Sequence, residues 1–461
     1  MNMRTKYLVA VTLSVFPFIT LATTNPSVVS KPNIIVVMAD DMGWGDSATY
    51  GHKTIKTPNL DKLAAQGVKF TQGYSSAGVC SPARSSILTG RTPYRNGVWR
   101  HLSGSHEAHL RSSEITYPSL FKQSGYTTGH FGKWHLLSKQ QFHKEGYPHP
   151  DEHGFDYWFA TQNNAEPSHK NPTNFIRNHQ PVGELKGYSA PLVADEAISW
   201  IEQGRDASKP FIMSVWFHEP HKPIATDIKF SELYPNESAL NKKYFGNITQ
   251  MDFALGKIMD VLDEQGLSDN TLLIFLSDNG PVVGVGGNSG GLRGLKRNDF
   301  EGGIRVPFVV RWPGHIEAGS VNDTPIIGSD IFSTVLAVGG IEAPRDRKID
   351  GVNFLPALEG KVLKRSTPLF WRTHVSPAED RVAMRIGDWK IVGNDTLTEF
   401  MLFNVQKDWQ EKNNLASKLP EKLNTMKAKL LETWEDIKTD GPNQWWENET
   451  NPPRKGASLN Y

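Results

Sequence analysis

Ile34-Ile35-Val36-Val37-Met38 runs straight into Ala39-Asp40-Asp41, and this stretch decides the fold class. Consecutive apolar, mostly β-branched residues without polar alternation are expected of a strand buried on both faces, as in a parallel sheet covered by helices. The abrupt change to two acids puts carboxylates at the strand's carboxyl end, the edge where open parallel sheets bind ligands. Three further runs end in the same manner. Thr127–Phe131 leads into Gly132-Lys133-Trp134-His135, Phe211–Phe217 into His218-Glu219-Pro220-His221, and Leu272–Leu276 into Ser277-Asp278-Asn279-Gly280. A single Asp-Asn-Gly is an ordinary turn. Four strands ending in acids, amides, lysine or histidine predict one shared polar site.

Between these runs lie helical stretches. Leu60–Gly67 spaces Leu60, Leu63 and Ala64 on one face and stops at glycine, and Leu192–Gln203 and Lys243–Gln265 follow. Val306–Arg311 adds a strand closed by Trp312-Pro313-Gly314. Strands alternating with helices predict a three-layer α/β/α domain with a large, mostly parallel sheet over residues 31–364. After Lys364 the texture changes. Arg381–Ile386, Trp389–Val392 and Glu399–Val405 read as an antiparallel meander, and Pro420–Lys438 spaces Leu423, Met426, Leu430, Leu431 and Trp434 helically. A smaller C-terminal domain with an antiparallel sheet and one helix is therefore expected over 365–440, followed by a polar tail, 441–461.

Residues 1–23 combine Arg4 and Lys6 with an apolar run from Tyr7 to Leu21, the pattern of a cleaved signal peptide. No membrane anchor is expected, and a periplasmic or secreted location is. Losing Arg4 and Lys6 from the 50 basic residues leaves 48 against 49 acidic ones. That balance provides no field for nucleic acid, so an anionic substrate must be met by a few local cations.

Cys80 is the one cysteine, so no internal disulfide exists. It opens Cys80-Ser81-Pro82-Ala83-Arg84, continuing to Thr89-Gly90, and the segment after it reads as the start of a helix. A reactive side chain and an oxyanion-binding guanidinium would then share one turn at a positive helix end. A small buried thiol is the competing reading. Asp40, Asp41, Asp278 and Asn279 offer only oxygen donors, which suit Ca²⁺ or Mg²⁺ rather than zinc.

Cys80-x-Pro-x-Arg followed by Thr-Gly resembles the signature of the formylglycine-dependent sulfatases of the alkaline phosphatase superfamily. The resemblance extends over roughly Lys31–Gly314. Lys133 and His135 match a Gly-Lys-x-His element, Pro220–Pro223 a Pro/Thr-His-x-Pro element carrying His221, and Lys296 through Glu301-Gly302-Gly303 a Lys-x-x-x-Tyr/Phe-Glu-Gly-Gly element. The resemblance implies that a maturation enzyme converts Cys80 to formylglycine (3-oxoalanine), the nucleophile. It also implies that one Ca²⁺ is held by Asp40, Asp41, Cys80, Asp278 and Asn279. Arg84, Lys133 and Lys296 would surround the sulfate, His221 would protonate the leaving alcohol, and His135 would act as base in expelling sulfate. His218 falls outside the motif and is expected to line the substrate or to be structural.

A sulfated poly- or oligosaccharide is the expected substrate, in a bacterial enzyme of polysaccharide degradation. Trp99, Trp134, Trp158, Trp371, Trp445 and Trp446 would stack on sugar rings or serve as core. The alternatives are a phosphomonoester or phosphonate hydrolase of the same superfamily and a non-catalytic sulfated-glycan-binding relative.

Overall fold

A computed structural model describes residues 31–442, except 105, 106, 283, 375 and 377–379, together with Met1, Thr5, Lys6 and Leu8. The chain divides into the units 1–30 and 31–461. The expected signal peptide lies almost wholly outside the described residues, as does the tail from 443 on, with Trp445 and Trp446. No helix among the described residues is long and apolar enough to cross a membrane.

The Asn33–Ala39 strand lies near the middle of a ten-stranded sheet, between Thr271–Ser277 on one side and Phe211–Trp216 on the other, and both pairings are parallel. Thr127–Lys133 and Tyr157–Thr161 extend the parallel part. Alternate residues of the first strand enter different cores. Ile34, Val36 and Met38 join one cluster, Ile35, Val37 and Ala39 the other. The first cluster takes in Ile87 and Leu88 from the Cys80–Thr89 helix and Ile331, Phe332 and Val335 from Asp330–Val338. The second takes in residues of Pro58–Ala65, Ser189–Ser199 and Ala239–Glu264. This is the three-layer α/β/α arrangement read from the unbroken apolar runs.

Several elements differ from the sequence-based expectation. The strand expected from Val306 begins at Phe308 and runs antiparallel to Thr271–Ser277, so one flank of the sheet is mixed. The helix expected over Leu192–Gln203 starts at Ser189 and closes in a π turn, Trp200–Gly204. Tyr157–Thr161 and Leu369–Arg372 are strands that were not foreseen, since runs of four or five residues carry too little periodicity.

Leu369–Arg372, Val382–Ile386, Trp389–Gly393 and Phe400–Asn404 form the antiparallel C-terminal sheet in sequential order. The Pro420–Asp440 helix sends Met426, Leu430, Trp434 and Ile437 into the same core cluster as the central strand. Its neighbour is the short Pro93–Asn96 helix, with Trp434 edge-on to Tyr94 at 5.0 Å.

Candidate active site

The central strands deliver their polar ends side by side. Ala39 pairs with Ser277, the Asp278 amide donates to the Ala39 carbonyl at 3.1 Å, and the Asp40 amide donates to the Glu219 carbonyl at 3.0 Å. Asp40, Asp41, Asp278 and Asn279 therefore leave the sheet as neighbours, with Lys133 ending the Thr127–Lys133 strand on the far side of Phe211–Trp216. Asp41 turns out of the strand at φ 67°, a left-handed backbone that aspartate adopts more readily than most residues.

Cys80 is the first residue of a ten-residue helix, Cys80–Thr89, in which every side chain is buried. Gly90 ends it at φ 69°, and a Cβ there would lie 2.7 Å from the Phe332 ring, so the glycine of the Thr-Gly pair is required sterically. Cys80 Sγ lies 3.2 Å from Lys296 Nζ, 3.6 Å from Asp40 Oδ1 and 4.0 Å from Asp41 Oδ1. Arg84, four residues on, donates to Asp278 Oδ2 from Nε and Nη2 and to the Lys133 carbonyl from Nη1. Lys133 Nζ is 2.6 Å from Asp40 Oδ2, and Lys296 Nζ is 2.6 Å from Asp41 Oδ1.

Lys296 comes from an irregular loop. Its amide donates to the Pro281 carbonyl, and the Arg297 amide to the Gly78 carbonyl at 2.7 Å. The C-terminal sheet secures this loop. Lys390 reaches Glu301 at 2.9 Å and Glu411 at 3.0 Å, with all three side chains sealed from solvent. The Glu301 amide also donates to Glu411 Oε2.

Burial works against ionisation of Asp40, but Lys133, His221, Arg84 and Lys296 outweigh it and hold its carboxyl well below the usual range. Asp278 is pushed up to about 6 by burial and by the adjacent Asp40 charge, against Arg84. Burial lifts the Cys80 thiol to about 12, against the pull of Lys133 and Lys296. The unmodified thiol is thus a poor nucleophile at neutral pH.

Two oxygens of this cluster, Asp41 Oδ2 and Asn279 Oδ1, are buried without a hydrogen-bond partner. Ligand atoms of Asp40, Asp41, Cys80 and His221 lie within 4.8 Å of one another. Converging carboxylates, with one carboxylate oxygen and one amide oxygen unpartnered, fit a hard divalent cation. The set differs from expectation in two respects. His221 comes close, its Nε2 3.5 Å from Asp41 Oδ2, whereas Asp278 is engaged by Arg84 and, through Oδ1, by the Asp41 amide.

The three histidines have separate environments. His221 Nδ1 is 2.5 Å from the Lys222 carbonyl, which assigns the proton to Nδ1 and leaves Nε2 facing Asp41. Burial pushes His221 down to about 4, opposed by Asp41 and Asp40. His135, at φ 57°, is wholly buried; its Nε2 donates to the Leu102 carbonyl and its Nδ1 has no partner. Burial and the nearby Lys133 keep this ring neutral, so the Nδ1 lone pair is available for a proton. His218 is sealed, 2.7 Å from the Thr161 hydroxyl, and does not line the cavity. Of the two roles expected for it, lining the substrate or structural, this burial favours the structural one.

A cavity of about 650 Å³ opens beside Asp41, His221 and Lys296. His101, which no motif marked, lines it and stands edge-on to His135 at 4.6 Å. Arg297, Asn163 and Asn164 also line it and carry no motif signal. Trp99, Trp134, Trp158 and Trp371 are at most 1 % exposed, so stacking on sugars is excluded for these four and they are core.

Comparisons with known proteins give the family. A sulfatase family model matches residues 32–341, and the C-terminal model of N-sulphoglucosamine sulphohydrolase matches 294–439. The N-acetylgalactosamine-6-sulfatase of Rattus norvegicus is 35% identical over 370 residues, covering 74% of this chain and 68% of that protein. The steryl-sulfatase of the same organism is 32% identical over 441 residues, covering 77% and 74%. The crystal structure of Ps i-CgsB with k-i-k-neocarrahexaose superposes with a TM-score of 0.80 at 27% identity, covering 89% of this chain and 94% of that one. Fold and relatives together define a sulfuric ester hydrolase of the alkaline phosphatase superfamily. The chain belongs to the sulfatase family.

Proposed function

We propose that this sulfatase removes sulfate from a sulfated poly- or oligosaccharide, with formylglycine made from Cys80 as nucleophile and one Ca²⁺ at the acidic cluster. The observation that carries the reading is the position of Cys80 Sγ at the common focus of Lys296, Asp40 and Asp41, with Arg84 one helical turn away. The carbohydrate assignment draws support from the N-acetylgalactosamine-6-sulfatase and the carrahexaose-bound relative.

Asp40, Asp41 and Asn279 would hold the cation, with Asp278 beside them, and the bound ion would supply Lewis-acid stabilisation of negative oxygen. Arg84, Lys133 and Lys296 would bind the nonbridging sulfate oxygens, neutralising a charge that otherwise repels any nucleophile. Asp278, with its raised proton affinity, is the proposed acceptor of the nucleophile's proton. His221 Nε2 is the proposed donor to the leaving alcohol; the arriving sulfate ester favours its protonated form, which burial alone disfavours. His135, neutral and with Nδ1 unpartnered, is the proposed base for release of sulfate. A formylglycine-generating enzyme is the implied maturation partner, and a periplasmic or secreted location follows from residues 1–23 read as a signal.

The test is direct. Protein made in a host with the maturation machinery should yield a Cys80 peptide at the aldehyde mass and release sulfate from a panel of sulfated oligosaccharides. Cys80→Ala should abolish that release. More than trace activity in that variant sinks the nucleophile assignment.

A further inference from the structure

His135 is held between two backbone segments, and each carries a polar side chain that lines the cavity. On one side the Trp134 amide donates to the Thr161 carbonyl at 3.0 Å and the His135 amide to the Gln162 carbonyl at 2.7 Å. On the other, His135 Nε2 donates to the Leu102 carbonyl at 2.9 Å, and the Leu102 amide donates to the hydroxyl of Ser81, the neighbour of Cys80, at 3.2 Å. The residue after Gln162 is Asn163, and the residue before Leu102 is His101. Both are half-buried and line the cavity that Asp41, His221 and Lys296 share.

The fold does not use either side chain for hydrogen bonding. Asn163 Oδ1 is buried without a partner. Asn163 Nδ2 and the ring nitrogens of His101 make no hydrogen bond to another described residue. The backbone beneath them is fixed nonetheless, since the Asn163 carbonyl accepts from the Thr161 hydroxyl at 2.7 Å and His101 precedes the anchored Leu102 amide. A buried polar group without a partner costs stability, and a ligand that pairs with it recovers that cost. Burial, then the charges of Lys296 and Lys133, hold the His101 ring well below its ordinary value. At neutral pH it therefore offers one donor and one acceptor, as the Asn163 amide offers both kinds. Pro223, Val282 and Leu295 supply apolar wall to the same cavity. A few polar groups set in an apolar wall fix the orientation of a small ligand.

We propose that His101 and Asn163 hydrogen-bond hydroxyl groups of the sugar ring that bears the scissile sulfate, and so select a sugar whose hydroxyls beside the ester are free. The assignment rests on the carbohydrate reading of the site and deepens it by naming two specificity-determining residues. Hydroxyls suit the pair because each both donates and accepts, matching two neutral groups of the same kind.

The experiment measures inhibition of aryl sulfate hydrolysis by hexose and N-acetylhexosamine monosulfates, each matched with the deoxy analogue lacking the hydroxyl nearest the sulfated carbon. Wild-type protein is expected to bind at least one parent sugar about tenfold or more tightly than its deoxy partner, because the deoxy sugar leaves a buried group unpaired. His101→Phe keeps a ring beside His135, and Asn163→Leu keeps the side-chain shape, but neither can hydrogen-bond. In at least one of these variants the ratio should fall to about threefold or less, whichever effect the substitution has on the aryl ester. His101→Gln, which restores a donor and an acceptor, should recover part of any ratio lost in His101→Phe. Both sugars are compared in one preparation, so a loss of folded protein cancels from the ratio. A wild-type ratio near one for every pair, or a ratio that survives both substitutions, overturns the proposal. Wild-type protein that hydrolyses the aryl ester but is inhibited by no sulfated sugar overturns instead the carbohydrate reading beneath it.

Discussion

Arg84 donates two hydrogen bonds to one oxygen of Asp278, from Nε at 3.0 Å and from Nη2 at 2.7 Å. The contact fastens the helix that begins at Cys80 to the carboxyl end of the Thr271–Ser277 strand, with both side chains sealed from water. The guanidinium is thereby oriented before any substrate arrives, which is the condition for strong electrostatic stabilisation.

Replacing this residue should separate geometry from charge. Arg84→Lys keeps the charge but loses the planar fork, and should lower kcat by about a hundredfold or more. Arg84→Met should also destabilise the fold by about 3–5 kcal/mol, because Asp278 is left buried and unpaired. Steady-state kinetics and denaturant melts read the two effects. Wild-type turnover in the lysine variant would remove Arg84 from the reaction.

Chelation by EGTA should lower activity and Tm together, since a ligand held only by the folded state adds stability, about 2.7 kcal/mol at a hundred times its Kd. Elemental analysis of active protein should find calcium at one ion per chain. Zinc in its place would favour Cys80 and His221 as ligands over the oxygen set.

His221 and His135 should fail differently. His221→Ala should slow sugar sulfates by about 10²-fold or more and activated aryl sulfates far less, because a good leaving group departs without a proton. His135→Ala should trap a covalent sulfo-enzyme visible by intact mass. Equal losses on both substrate classes with no adduct would show that these roles are misassigned.

Gly90→Ala should destabilise the protein by about 1–3 kcal/mol, combining a left-handed backbone with a Cβ driven into the Phe332 ring. A urea melt measures the loss. Stability equal to wild type would mean that the Cys80–Thr89 helix can end without glycine.

Much of the site was legible because its residues sit where one kind of run stops and another begins. Ile34–Met38 ends at Asp40, and Leu272–Leu276 ends just before Asp278; an unbroken apolar strand with an acid at its end is a local signal. The Cys80–Gly90 segment was legible as well, since helix start, cation and terminating glycine have fixed spacing. His101, Arg297 and the pairing of Glu301 with Lys390 and Glu411 were not. His101, Arg297 and Glu411 lie in loops, and Lys390 is a buried lysine on a short strand, with no period to mark them.

The linear chain by itself determined the layer architecture, the donor types and the family, because each depends on residues a few positions apart. Tertiary structure alone decided which groups meet. Asn279 bonds Asp41 across 238 positions, and Lys296 bonds it across 255. It also decided that four tryptophans are core, that His218 is sealed, and that His101 and Asn163 share a cavity. Burial and charge proximity are sums over neighbours brought together by the whole fold, and no short window of sequence contains those neighbours.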